Sequence, residues 1–228
     1  MDRPGVIVGI GREAKVLSVF PAAQRPPVRC SGARSDRAYR LSKELIKDGC
    51  KGLVSFGTAG GLIPDLHPGA LVIPENVIAD DGQIFQTSGP WRERICQAVG
   101  EVLIPNTGSM AGSNHVVVTQ DAKSALAEKK GAVAVDMESH AVGLAAKEAG
   151  VPFVVVRAVA DPLSGPIPEW VLGNISENGD TRYGAILWGL FRNMGDFSAF
   201  IGLARNSAKA MSTLRCVAGL AGPLFRLE

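Results

Sequence analysis

Little in this sequence could cross-link the chain or hold a metal ion. Its four cysteines (Cys30, Cys50, Cys96 and Cys216) are far apart with no C-x-x-C pair, and histidine occurs three times. Neither a disulfide framework nor a structural zinc site fits that pattern. Blocks of like charge are missing too. Twenty-four basic residues against 22 acidic ones leave a formal charge of +2, so no clustered basic face for nucleic acid is expected. No stretch reaches the ~20 apolar residues of a spanning helix. The opening MDRPGVIVGI lacks the basic start and long apolar core of a secretory leader. These absences predict a cytoplasmic protein with free thiols and no transmembrane segment.

What is present is ordinary globular material, 46% apolar and 20% charged, in 228 residues, a length that suits one domain. Short apolar runs alternate with helical patterns. Strands are predicted at 5–10, 52–56, 70–79, 115–119, 132–136 and 152–161, with a weaker one in PPVRC before Ser35. An Asp81-Gly82 hairpin turn follows the third. Ser35 is positioned to cap a helix carrying Ala38, Leu41, Leu45 and Ile46, closed by Gly49. Further helices are predicted at 90–103 and from Glu138 to Glu148, the latter ended by Gly150. Strands apolar throughout and separated by helices predict a mainly parallel mixed sheet covered on both faces, a three-layer α/β/α domain. From Tyr183 onward the chain reads as a helical C-terminal extension.

Four segments carry candidate chemistry. Gly9-Ile10-Gly11-Arg12-Glu13-Ala14 has the form of a dinucleotide-binding turn, but no acidic residue closes a strong second strand; a glycine-rich strand end with Glu13 at its tip is the plainer reading. Gly57, Thr58 and Ala59 lie in a small-residue loop after a strand, suited to close approach by a hydroxylated or anionic ligand. Glu138 follows Met137 where a strand gives way to a helix; its carboxylate suits the two hydroxyls of a ribose, or is simply an acid at a helix start. Arg157 and Asp161 end an apolar strand, where charge is costly unless paired or functional. All four segments fall at one edge of the same sheet, where ligands of open α/β folds bind.

Those blocks also carry a likeness. SFGTAGGL, PGALVIPENVI and AVDMESHAVGLAAKEAGVPFVVVRAVAD, in that order, resemble the nucleoside phosphorylase superfamily: purine nucleoside and uridine phosphorylases and the methylthioadenosine/S-adenosylhomocysteine nucleosidases. The continuation DPLSGPIPEWVL, the following NGD and the helical tail resemble its hopanoid-associated branch, which removes adenine from adenosylhopane. The resemblance implies an enzyme that cleaves the N-glycosidic bond of a purine nucleoside-like substrate. It implies that Glu138 and the Met137 backbone bind the ribose, that Asp161 protonates the departing purine at N7, that Arg157 and Thr58 line the nucleophile site, and that Glu13 activates water. No cofactor or metal is implied, and a homo-oligomer is expected.

The sequence departs from the family in two places. Neither arginine that binds phosphate in the bacterial phosphorylases is obvious in GIGREA or LVSFGTAGG, which favours water as the nucleophile, with Arg12 as a substitute anion site and phosphate left open as a co-substrate. Lys123, in TQDAKSA, stands where an aromatic would stack on adenine. A phosphorylase, a dinucleotide-binding Rossmann-like protein and a silent ligand-binding protein stay open as alternatives. The apolar faces of the tail (Ile186, Leu187, Leu190, Phe191 and Met194, then Phe197, Phe200, Ile201 and Leu203, then Ala208, Met211, Leu214, Val217 and Leu220) would bury against the sheet or a partner subunit, or receive a lipid tail, which leaves peripheral membrane contact open.

Overall fold

Pro4–Val8 forms strand β1, buried along its whole length. In the computed structural model, which describes residues 3–164 and 197–227, β1 lies between two parallel neighbours, β2 (Val28–Cys30) and β3 (Gly52–Gly61). β3 runs on past the expected 52–56 because it keeps pairing in parallel with β9 (Phe153–Asp161), with a register shift after Ala59. β9 also pairs with a short antiparallel β4 (Leu71–Val72). The far end of β3 meets β8 (Ala134–Asp136) antiparallel. From β8 the sheet continues in parallel through β7 (Met110–Gly112) to β5 (Asn76–Ile78) and ends on antiparallel β6 (Ile84–Gln86). The sheet is mixed and mainly parallel, as expected.

Helices cover both faces: α1 (Gly11–Val16), α2 (Ser35–Lys47), α3 (Gly89–Val99), α4 (Gln120–Lys130), α5 (Ser139–Ala149) and α6 (Phe197–Ala221). The period of two along β1 divides the core. Val6 and Val8 face a cluster with Trp91 and Ile95 of α3 and Met211, Leu214 and Val217 of α6. Ile7 faces the other, with Ala38 and Leu45 of α2 and Val142 and Ala146 of α5. The C-terminus is tied down as well, since Trp91 Nε1 donates to the Phe225 carbonyl at 2.6 Å.

Several elements differ from expectation. The single strand at 70–79 is two, because Pro74 has no N–H for a ladder and the amides of Ile73 and Glu75 donate instead to Asn106 and Thr107. The Asp81-Gly82 hairpin forms, with Gln83 N–H donating to Asp81 Oδ1 at 2.9 Å and Gly82 at φ +83°. The valine run 115–119 is not a strand. Its place beside β8 is taken by the small residues of β7, where a Cβ on Gly112 would lie 2.5 Å from that of His140 in α5. Close packing of α5 selects that segment; the valines, with high β propensity but no free ladder position, stay outside the sheet. α4 was not anticipated; it starts at Thr119, whose hydroxyl accepts from Ala122 N–H, and ends at left-handed Gly131.

The helical tail is confirmed from Phe197; residues 183–196 lie outside the described residues. Its last stretch agrees with burial against the sheet. Met211, Leu214 and Val217 are buried in the core and Ala208 is exposed. No described helix is long and apolar enough to cross a membrane.

Candidate active site

Because β1, β3 and β9 run parallel, the residues at their carboxyl ends come together, and the β8–α5 junction joins them. They surround a cavity of about 270 Å³ lined by Glu13, Thr58, Ala59, Met137, Glu138, Arg157 and Asp161. Gly57 lies just behind it. A Cβ there would sit 2.5 Å from Arg157 Nη1 and 2.7 Å from the Glu13 carboxyl carbon. Gly57 and Arg157 are register partners across β3 and β9, so the missing side chain on one strand makes room for the guanidinium of the other. Arg12, the substitute anion site, is exposed and stands outside the lining.

Glu13 is buried and saturated with donors. Gly9 and Ile10 N–H donate to Oε2 at 2.8 and 3.0 Å; Thr58 N–H and Oγ1–H donate to Oε1 at 2.8 and 2.9 Å. A carboxylate has about four lone-pair sites, and all four are used. The two amides that would cradle a pyrophosphate in a dinucleotide-binding turn are therefore committed to the chain's own glutamate.

Arg157, 1% exposed, anchors the floor. Its Nη2 donates to Ser55 Oγ at 2.7 Å and Glu138 Oε2 at 3.1 Å and pairs with Asp136; Nη1 donates to the Thr58 carbonyl at 3.2 Å. Asp136 also accepts from the Ser139 hydroxyl and amide. Glu13 and Glu138 approach each other as well, since a Cβ on Gly9 would lie 3.3 Å from one carboxylate and 2.9 Å from the other. Two carboxylates thus pair with one guanidinium, and the charge of a third, Glu13, acts on it from nearby. Burial pulls Arg157 down, but Asp136, Glu138 and Glu13 outweigh it and push it up. Burial raises Glu138 to about 7; Arg157 opposes the rise, and Asp136 and Glu13 add to it.

This has a consequence for stability. Glu138 titrates higher in the fold than its ordinary 4.5, so the folded protein holds a proton that the unfolded chain releases. Its contribution is fully present below that ordinary value and is lost as pH rises through about 7. Glu138→Gln is expected to raise Tm at pH 8 by several degrees, on the order of 2 kcal/mol, and to raise it much less at pH 5. Thermal melts at the two pH values check this; a lower Tm at pH 8 would show that the ion pair with Arg157 outweighs the repulsion.

Asp161 stands apart from that cluster. Its side chain is 46% exposed and its carboxylate accepts from Lys123 Nζ at 2.7 Å. Lys123 is 1% exposed and donates also to the carbonyls of Asp161 and Pro162, at 3.3 and 2.9 Å. Among the described residues no group of histidine, cysteine, aspartate and glutamate has the arrangement of a metal site.

Residues 31–181 match the family model described as the phosphorylase superfamily. The chain belongs to that superfamily. It is 29% identical to a 5′-methylthioadenosine/S-adenosylhomocysteine nucleosidase of Staphylococcus aureus (strain JH9), over 50% of this chain and 58% of that protein; it thus spans little more than half the length of the curated relative it matches. A nucleosidase of the same description from Helicobacter pylori, crystallised with butyl-thio-DADMe-Immucillin-A, aligns at a TM-score of 0.69 and 18% identity, covering 96% of this chain and 98% of that one. The futalosine hydrolase of Helicobacter pylori strain 26695 aligns at 0.69 and 16%, covering 96% and 97%.

Sequence reasoning did not single out Asp136, Ser55 or Ser139. One signal was available: a buried arginine needs a buried carboxylate, and Asp136 closes the apolar run AVAVD.

Proposed function

We propose that the protein is a nucleosidase that hydrolyses the N-glycosidic bond of a purine nucleoside-like substrate. The observation that carries this reading is the charge balance of the floor. Arg157 is already matched by Asp136 and Glu138, and Glu13 adds a third negative group. A phosphate dianion would meet net negative charge there, whereas neutral water would not.

Breaking the C1′–N9 bond builds positive charge on the sugar and negative charge on the base, with an oxocarbenium-like transition state. Glu138 and the Met137 backbone hold the ribose hydroxyls. The Glu138 carboxylate binds the sugar more strongly as it gains charge, which is differential binding in the useful direction. Asp161, at the other side of the cavity, protonates the base at N7. Glu13 takes a proton from the attacking water. Since its four lone-pair sites are filled, the Thr58 hydroxyl turns from Glu13 to the water when substrate binds; Arg157 holds Thr58 through its carbonyl and Ala59 lines the wall.

The finer reading is release of adenine from adenosylhopane by a cytoplasmic homo-oligomer in hopanoid biosynthesis. It rests on the DPLSGPIPEWVL and NGD likeness, most of which lies outside the described residues. With the stretch from Ala208 committed to the core, a lipid contact would fall to the segment before it.

Product analysis with 5′-methylthioadenosine, with and without phosphate, tests the reaction class. Free sugar and adenine at a phosphate-independent rate are expected. A strict phosphate requirement with a sugar 1-phosphate product would overturn the hydrolytic reading. Equal efficiency on adenosine and adenosylhopane would remove the lipid reading and leave the nucleosidase.

A further inference from the structure

A lysine ammonium shut away from water is costly unless its charge is matched and its hydrogens are bonded. Lys123 meets the second condition through three acceptors, but two of these are neutral carbonyls. Its only charge partner among the described residues is Asp161, which is itself 46% exposed and lines the cavity. A purely structural tie between α4 and the end of β9 would be made more cheaply by two apolar side chains. The asymmetry is unusual: the cation is fully enclosed, and the one anion it holds is the group that faces the ligand.

We propose that Lys123 is a positioning residue that orients Asp161 and supplies, through it, the proton that leaves with the base. This rests on the nucleosidase reading above. As the C1′–N9 bond breaks, its electron pair passes to the base. The Lys123 Nζ–H proton first moves to the Asp161 carboxylate across the 2.7 Å contact; the N7–H bond then forms as that new O–H bond breaks, leaving Asp161 a carboxylate again and Lys123 a neutral amine. The attacking water gives its proton to Glu13, which releases it to solvent when the products leave, and solvent restores one proton to Lys123 through the half-exposed carboxyl. A base lying against Asp161 excludes water from the pair, and in a dry site the neutral amine–acid pair gains on the ion pair. Lysine suits such a part and arginine does not, since a guanidinium does not give up its proton in proteins.

The test uses Lys123→Met and Lys123→Arg in the full chain, with two substrates. 5′-Methylthioadenosine has a leaving base that must be protonated; 4-nitrophenyl β-D-riboside releases a phenolate that needs no proton. Both variants are expected to lose ~10²-fold or more in kcat on the nucleoside, with KM little changed, while nitrophenolate release stays within about threefold of the parent. Rescue of nucleoside turnover by arginine would show that charge alone suffices and overturn the proton supply. Equal losses on both substrates, or a collapse of Tm in both variants, would make Lys123 a structural tie and also overturn it. Failure of the unaltered enzyme to release base from any purine nucleoside would instead defeat the nucleosidase reading, and this proposal with it.

Discussion

Asp161→Asn is expected to lower kcat on a purine nucleoside by ~10²–10⁴-fold, because an amide of the same shape cannot hand a proton to the leaving base. The fold is expected to survive. Asp161 is half-exposed, and its main side-chain contact is Lys123; asparagine keeps an oxygen for that ammonium, though it no longer matches the charge. A Tm loss of a few degrees is the anticipated structural cost, measured by thermal unfolding beside the kinetics. Combined with Lys123→Met, the substitution is expected to cost little more than either alone, since residues that act as a unit are strongly non-additive. Near-normal turnover in Asp161→Asn would remove the residue from the mechanism.

The largest effect on stability is expected from Arg157→Met. The guanidinium is buried against Asp136 and Glu138 and feels the charge of Glu13, and removing it leaves the three carboxylates without a counter-charge. Taking one partner from a buried ion cluster costs ~3–5 kcal/mol, a large share of the ~5–15 kcal/mol that holds an ordinary domain together. For a chain of this length that corresponds to a Tm lower by ~10 °C or more, or to no soluble protein. Arg157 holds the proton affinity of Glu138 down, so Glu138 titrates higher still in the variant; its share of the loss is expected to be full at high pH and to shrink as pH falls toward about 7, and Arg157→Met/Glu138→Gln is expected to be more stable than Arg157→Met alone at pH 8. Denaturant melts of the two variants at pH 5 and pH 8 measure this. An unchanged Tm at pH 8 for Arg157→Met would mean that the carboxylates are not held by its charge.

The parts of the fold legible in the sequence were those written in short periods. Val6, Ile7 and Val8 alternate between the two core clusters, and a strand buried on both faces is apolar throughout for that reason. The left-handed Gly150 after α5 was readable from residue type alone; the start of α2 was placed correctly but for the wrong reason, since Ser35 is its first helical residue, Arg34 holds the cap position and the Ser35 hydroxyl donates to Asn114 Oδ1 instead. The β7 strand was not, because its sequence, Met110–Gly112, is no better a strand former than its surroundings. It is chosen by the gap between β5 and β8 and by the closeness of His140.

The same division runs through the candidate site. Charges at the ends of apolar strands are visible in a sequence, since burying them without a purpose is costly; that made Glu13, Glu138, Arg157 and Asp161 candidates. Their partners were not visible. Glu13 reaches Thr58 over 45 residues, Arg157 reaches Glu138 over 19, and Lys123 reaches Asp161 over 38. Such pairings follow from strand register and from where α4 begins, and no local period encodes either. The sequence by itself therefore determined the layers, the sheet edge and the acids and base gathered there. The tertiary structure alone decided that Asp136 and Glu138 share one arginine, that Glu13 is saturated and that a lysine lies buried behind Asp161, because a hydrogen bond acts over 3 Å of space and takes no account of distance along the chain.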